Sequence, residues 1–237
     1  MSLKNESFLG NSVWDRRDDR TANTMSRRLY LLMVCFWTAA GIVFSAFASS
    51  FSQDWQISEW NIWGTLGFFL GILAVALLGV FISHSSDSPI VSVLGYALVA
   101  GPFGLMLGPV LAMYETSSII KVLAITATVV IVLGLVGVFI PDDLAPWGLW
   151  LFGALLLLIG AQFLVPLLGA FGLPVDGAMT VIDWVALVIF GALVIFDLNR
   201  AIRLPYTHDN AIDSAVAIYL DFINIFIRLL SLMGQKK

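Results

Sequence analysis

The sequence predicts an all-α, polytopic membrane protein: a bundle of seven transmembrane helices. Its 237 residues are 59% hydrophobic and only 12% charged, and the mean hydropathy is +0.95. A soluble domain usually has about 25% charged residues, because its surface faces water. Long apolar runs recur along the chain, and each has the roughly 20 residues that one bilayer crossing needs. These runs leave no room for a separate soluble domain.

Two regions are predicted: a polar N-terminal tail at residues 1–28 and one transmembrane domain at residues 29–237. The tail has no apolar core of the signal-peptide type. Arginines stand just before the first apolar run, among them Arg27 and Arg28. Because positive residues stay on the inner side of a membrane, we expect a cytoplasmic N-terminus.

Seven apolar runs follow the tail, separated by short polar linkers or by linkers with glycine and proline. The predicted spans are residues 29–51, 62–83, 90–114, 119–140, 147–171, 181–198 and 211–233. Seven crossings from a cytoplasmic N-terminus place Lys236 and Lys237 outside, against the usual distribution of positive residues. Either this terminal pair is too weak to matter, or the seventh segment re-enters the membrane. A full crossing is the favoured interpretation.

Small residues and prolines mark two of the spans as packing surfaces. The third span contains Gly104, Gly108 and Pro109, and the second contains Gly67 and Gly71. Small residues allow helix backbones to approach closely in a membrane. Proline is tolerated there because neighbouring helices can satisfy the backbone groups that it leaves free.

The residues needed for several kinds of membrane enzyme are missing from the sequence. There are two histidines, His84 and His208, and a single cysteine, Cys35. No HExxH motif, zinc-binding Cys/His cluster, serine elbow or phosphate-binding glycine loop is present. We therefore expect no enzyme activity, no cofactor and no nucleic-acid partner. The lipid bilayer is the partner that the composition requires.

The seventh span is unusual because it carries a polar stripe. Helical steps of about 100° per residue place Asp213, Asp221, Asn224 and Arg228 within roughly one quadrant of the helix. A charge at membrane depth costs at least a few kcal/mol, so it normally faces the protein interior and has a partner. The nearest candidate partner is Asp197, which closes the sixth span.

A shared site for Asp197 and Asp221 would have a defined chemistry. Two carboxylates in contact cannot both ionise freely, so the pair can hold a single proton near neutral pH. It can also bind a cation, since calcium prefers carboxylate and carbonyl oxygens. Direct contact is expected to require a broken or tilted seventh helix, or an Asp221 nearer the surface. Asn224 and Arg228 would tune Asp221.

Other readings of the charged residues stay open at this point. Asp197 could form only an interfacial ion pair with Arg200, and Asp221 could bond only Arg228 or a helix backbone. Asp213 and Asp183 begin their spans, where the positive end of a helix favours an acid. These two acids are therefore expected at the membrane interface.

Three stretches resemble signatures of the transmembrane Bax inhibitor motif family. Phe196-Asp197 and residues 217–226, reading AIYLDFINIF, are similar to the ends of its sixth and seventh helices. Residues 104–114 with 117–120 resemble a second signature, and residues 143–148 a weaker form of a third. The resemblance covers about residues 30–234.

The resemblance implies a seven-helix fold with the C-terminal helix at its centre, in a bacterial inner (plasma) membrane. It also implies a pH-sensitive calcium leak channel, gated by carboxylates at positions matching Asp197 and Asp221. In that family an arginine near the end of the second helix can lock the pair. Residues 80–89 read VFISHSSDSP here and contain no arginine or lysine. His84 can replace the arginine only when it is protonated.

The family also suggests an alternative role without ion transport. Some bacterial members modulate a membrane-anchored AAA protease. In that case the protein would act in membrane-protein quality control through its N-terminal tail and helix surfaces.

Overall fold

Seven long helices make up the computed structural model, which describes residues 24–56, 59–175 and 177–237. Each helix is long and apolar enough to cross a membrane, and the described residues contain no β-strand. The predicted fold class is therefore confirmed. Residues 1–23, most of the predicted tail, lie outside the described residues. The helices are α1 (Arg27–Ser49), α2 (Ile62–His84), α3 (Pro89–Ala112), α4 (Thr116–Phe139), α5 (Gly148–Ala170), α6 (Ala178–Ala201) and α7 (His208–Met233).

The last helix, α7, lies at the centre of the bundle. It packs against α1, α2, α3, α4 and α6. Half of an 18-residue spanning segment of α7 is buried, against at most 39% in any other helix. Tyr219 and Ile212 are among its fully enclosed side chains. A helix surrounded by protein instead of lipid can carry polar residues, because other helices supply their partners.

The two ends of the bundle are fixed by backbone contacts. At the end where α1 and α7 begin, called the proximal end here, the Met25 amide donates to the Tyr206 carbonyl at 2.8 Å. At the opposite, distal end, the Lys237 amide donates to the Met113 carbonyl at 3.0 Å. α7 thus runs unbroken from one end to the other, with no re-entrant turn.

Glycines bring α3 against α1, as the spacing predicts. A Cβ on Gly104 would lie 2.6 Å from the Ala48 Cβ. A Cβ on Gly108 would clash with the hydroxyl of Ser52, just beyond α1. The same prediction is wrong for Gly67 and Gly71, where an added Cβ would meet no atom within 4 Å. Both of those glycines are exposed on the surface of α2.

Pro109 interrupts the hydrogen bonds of α3, and the neighbouring segment compensates for this. Proline has no backbone N–H, so the carbonyl of Leu105, four residues earlier, loses its helical partner. The hydroxyl of Ser52, just beyond α1, donates to that carbonyl at 2.8 Å. Pro109 is therefore a packing residue of the seam between α1 and α3.

Candidate functional site

A cavity lined by both polar and apolar side chains lies in the proximal half of the bundle, where α2, α6 and α7 meet. Its volume is about 300 Å³. The last turn of α2, the last turns of α6 and the first turns of α7 form its walls. Its polar lining consists of His84, Asp197, Arg200, Asn210, Asp213 and Ser214.

The two acids predicted to share a site do meet. The carboxyl groups of Asp197 and Asp221 lie close enough to interact with each other. Asp221 is 3% exposed, whereas Asp197 is half-buried and lines the cavity. Ionised carboxylates can only accept hydrogen bonds, so a bond between these two groups would require one proton on the pair. α7 is continuous at this level, and the contact needs no break in the helix.

Arg200 supplies a positive charge near the pair. It follows Asp197 by three residues, which places both side chains on one side of α6. Both line the cavity, and the charge of Arg200 acts on Asp197. The sequence suggested this pairing only as an interfacial ion pair. In the structure Arg200 lines the cavity from α6, whereas the resemblance implied a locking arginine on the second helix.

His84 lies on the opposite wall of the cavity, at the end of α2. Its Nδ1 lies 3.0 Å from the carbonyl oxygen of Val80. Since a carbonyl only accepts, Nδ1 carries a proton in this arrangement. His84 therefore lines the same cavity from α2, whereas Asp197 and Arg200 line it from α6.

Two further acids are buried at the start of α7. The hydroxyl of Ser92 donates to Asp209, and that of Ser83 donates to Asp213. Asp213 is only 6% exposed, so protein encloses it near the start of α7. The end of α2 and the start of α3 cover the first turns of α7, and their serines satisfy both carboxylates. Sequence reasoning missed these serines, because isolated serines in apolar spans carry no distinctive signal.

Arg228 lies at the distal end and is paired with Asp183. Its Nη1 lies 3.0 Å from Oδ1 of Asp183, and its Nη2 donates to Gln162. The hydroxyl of Ser231 donates to Oδ2 of Asp183 at 2.7 Å. We call these four residues the distal ion-pair cluster. Arg228 thus pairs with Asp183 and not, as predicted, with Asp221. Asp183 itself is buried inside the bundle.

Asn224 bonds its own helix. Its side-chain nitrogen donates to the carbonyl of Leu220 at 2.8 Å. The structure therefore brings Asp197 and Asp221 together beside the cavity that His84 lines. It places Arg228 in a separate cluster and Asn224 on the α7 backbone.

Comparisons with known proteins agree with this architecture. The family model described as "Inhibitor of apoptosis-promoting Bax1" matches residues 22–237. The inner membrane protein YbhL of Escherichia coli is 22% identical over 88% of this chain and 92% of its own length. The protein YrjE of Lactococcus lactis is 29% identical over 94% and 95%. A Helicobacter pylori protein is 28% identical over 72% and 84%.

The family match spans nearly the whole transmembrane domain, including both acids of the pair and every residue of the distal ion-pair cluster. The bundle has the seven helices and the central C-terminal helix that the resemblance implies. The chain therefore belongs to the Bax inhibitor family of integral membrane proteins.

Proposed function

We propose that this protein is a pH-sensitive calcium (cation) leak channel of the bacterial inner membrane, gated by Asp197 and Asp221. The observation that carries the proposal is the close approach of these two carboxyl groups, with Asp197 in the wall of a cavity. Its location follows the name of the relative YbhL, an inner membrane protein. The charge of an acid pair that shares one proton changes with pH.

The cavity gives a cation a place to reach the pair. Asp197 and Asp213 both line it, and the hydroxyl of Ser83 orients Asp213. In the protonated state the two acids satisfy each other, and Arg200 balances the remaining charge. Loss of the shared proton leaves two carboxylates that repel each other and attract a cation.

The binding of the permeant ion would be weak. Among the described residues, no three or more His, Cys, Asp and Glu side chains are gathered closely enough to hold a metal ion. Conduction requires that an ion bind well enough to enter and loosely enough to leave. Two carboxyl groups beside a cavity fit that requirement better than a closed calcium cage, which has six to eight oxygen ligands.

Calcium flux into proteoliposomes across a series of pH values tests the proposal. Asp197→Asn and Asp221→Asn replace an acid by an amide that cannot lose a proton. We expect both variants to flatten the pH dependence, with the larger effect for Asp221→Asn because Asp221 is more deeply buried.

Asp143→Asn is the matched control for that experiment. Asp143 is 42% exposed and lies 3.9 Å from Arg203, away from the cavity lining. This variant should keep the flux and the pH dependence of the parent. Unchanged flux and unchanged pH dependence in both carboxyl-pair variants would contradict the proposal.

The alternative role, modulation of a membrane-anchored protease, stays a prediction. It depends on the N-terminal tail, and residues 1–23 lie outside the described residues.

A further inference from the structure

The distal ion-pair cluster has no part in the cavity or in the carboxyl pair. The side chains of Arg228 and Asp183 are only 11% and 6% exposed. Two neutral groups, from Gln162 and Ser231, complete the cluster. Burying an ion pair is costly, and a well-packed apolar pair is often at least as stable. Packing alone therefore does not account for these charges.

The cluster lies in line with the carboxyl pair along α7. Arg228 follows Asp221 by seven residues, which corresponds to roughly 10 Å of helix rise. Seven steps of about 100° turn the helix to within about 20° of the starting direction. A polar path that passes Asp221 from the cavity therefore meets Arg228 next.

The distal end of this path is covered by further residues. Tyr114 is buried and close enough to Asp183 for the two groups to interact electrostatically. Gly234 packs on the ring of Tyr114, since a Cβ there would lie 2.7 Å from ring atoms. The amide of Gln235 donates to Ser118 at 2.9 Å, which ties the end of the chain to α4.

We infer that the distal ion-pair cluster is a second barrier, which closes the path along α7 at the end opposite the cavity. The guanidinium group of Arg228 fills the path and repels cations, and Asp183 holds it in place. Passage requires that the two side chains separate. The inference rests on the proposed function, because a second barrier has meaning only if α7 lines a path.

Thiol labelling tests the barrier without measuring any ion. The background variant is Cys35→Ala, because the native cysteine is exposed. Asn224→Cys places a thiol between Asp221 and Arg228, and Ala217→Cys places one in the cavity lining. A membrane-impermeant thiol reagent is added to either side of oriented vesicles. The side from which Ala217→Cys reacts identifies the proximal side.

Asn224→Cys should not react from the distal side while the ion pair is intact. Adding Asp183→Asn together with Arg228→Gln removes both charges with little change in shape. Distal labelling of Asn224→Cys should then appear, while the proximal labelling of Ala217→Cys stays at the parent rate and shows that the fold is kept. Asp143→Asn, which removes an exposed charge, should leave distal labelling absent.

A milder variant covers the case in which the double variant does not fold. Gln162→Met with Ser231→Ala keeps both charges and removes their neutral partners, so weaker but detectable distal labelling is expected. Distal labelling in the parent, or no distal labelling in any folded variant, would overturn the inference. The result does not depend on calcium permeation, so it is separate from the test of the leak.

Discussion

Arg200 is the residue on which the charge balance of the cavity depends. Within the described chain, it is the only lysine or arginine that lines this cavity. Its guanidinium stays charged at all physiological pH values, whereas His84 is charged only when protonated. Arg200 can therefore compensate the carboxyl pair over the whole physiological pH range.

We predict that Arg200→Gln raises calcium flux at neutral pH. The substitution removes a positive charge that repels cations and balances the acids. A single charge in a partly buried site contributes on the order of 1–4 kcal/mol, and about 1.4 kcal/mol corresponds to tenfold. An increase of about tenfold is therefore expected in the proteoliposome assay.

The control for Arg200 is the charge-conserving variant Arg200→Lys, which should stay near the parent flux. If Arg200→Lys and Arg200→Gln behave alike, charge is not what Arg200 contributes.

At the scale of the helices, the close packing of α1 against α3 depends on glycines, which have no Cβ. Gly108 lies against the backbone of Ser49, and an added Cβ would be 2.5 Å from that carbonyl oxygen. Close approach also allows Ser52 to reach the carbonyl that Pro109 leaves free. The seam holds α3 against α1, and both helices enclose α7.

We predict that Gly108→Ala destabilises the protein by about 1–3 kcal/mol, the usual cost of overpacking. The measurement is thermal unfolding in detergent. Gly67→Ala is the matched control: it is also in a helix interior, but its added Cβ meets no atom within 4 Å. Alanine favours a helix over glycine, so Gly67→Ala should leave stability unchanged or slightly higher. Equal losses in both variants would contradict the packing argument.

On the scale of the whole molecule, the start of α1 and the C-terminal Lys237 lie at opposite ends of the bundle. Met25 contacts the linker between α6 and α7, whereas Lys237 contacts the linker between α3 and α4. The cavity lies in the half of the bundle where α1 and α7 begin. The terminal lysines are then on the far side, as the seven-crossing prediction requires.

We predict that tags at the two termini are accessible from opposite sides of the membrane. In sealed inner-membrane vesicles, protease should remove one tag and spare the other. With a cytoplasmic N-terminus, inside-out vesicles should lose the N-terminal tag. Ala217→Cys should react from that same side. Removal of both tags from one side would show that α7 does not cross.

Much of the architecture follows from local sequence. All seven helices were predicted, within a few residues at each end, since every crossing must satisfy its own backbone in lipid. The pairing of Asp197 with Asp221 was predicted because acids in apolar helices need partners. The partner of Arg228 could not be predicted, since Asp221 and Asp183 are both acids and only the rotation and depth of α6 select between them. The environment of Asp213 was missed for the same reason.

The sequence by itself determined the membrane fold, the number of crossings, the polar face of α7 and the absence of a locking arginine on α2. Each of these is a property of one segment in a uniform apolar solvent. Only the tertiary structure decided that Arg200 faces the cavity, that serines satisfy Asp209 and Asp213, and that Arg228 binds Asp183. Those contacts join different helices, and the spacing within one helix does not set its depth or rotation against another.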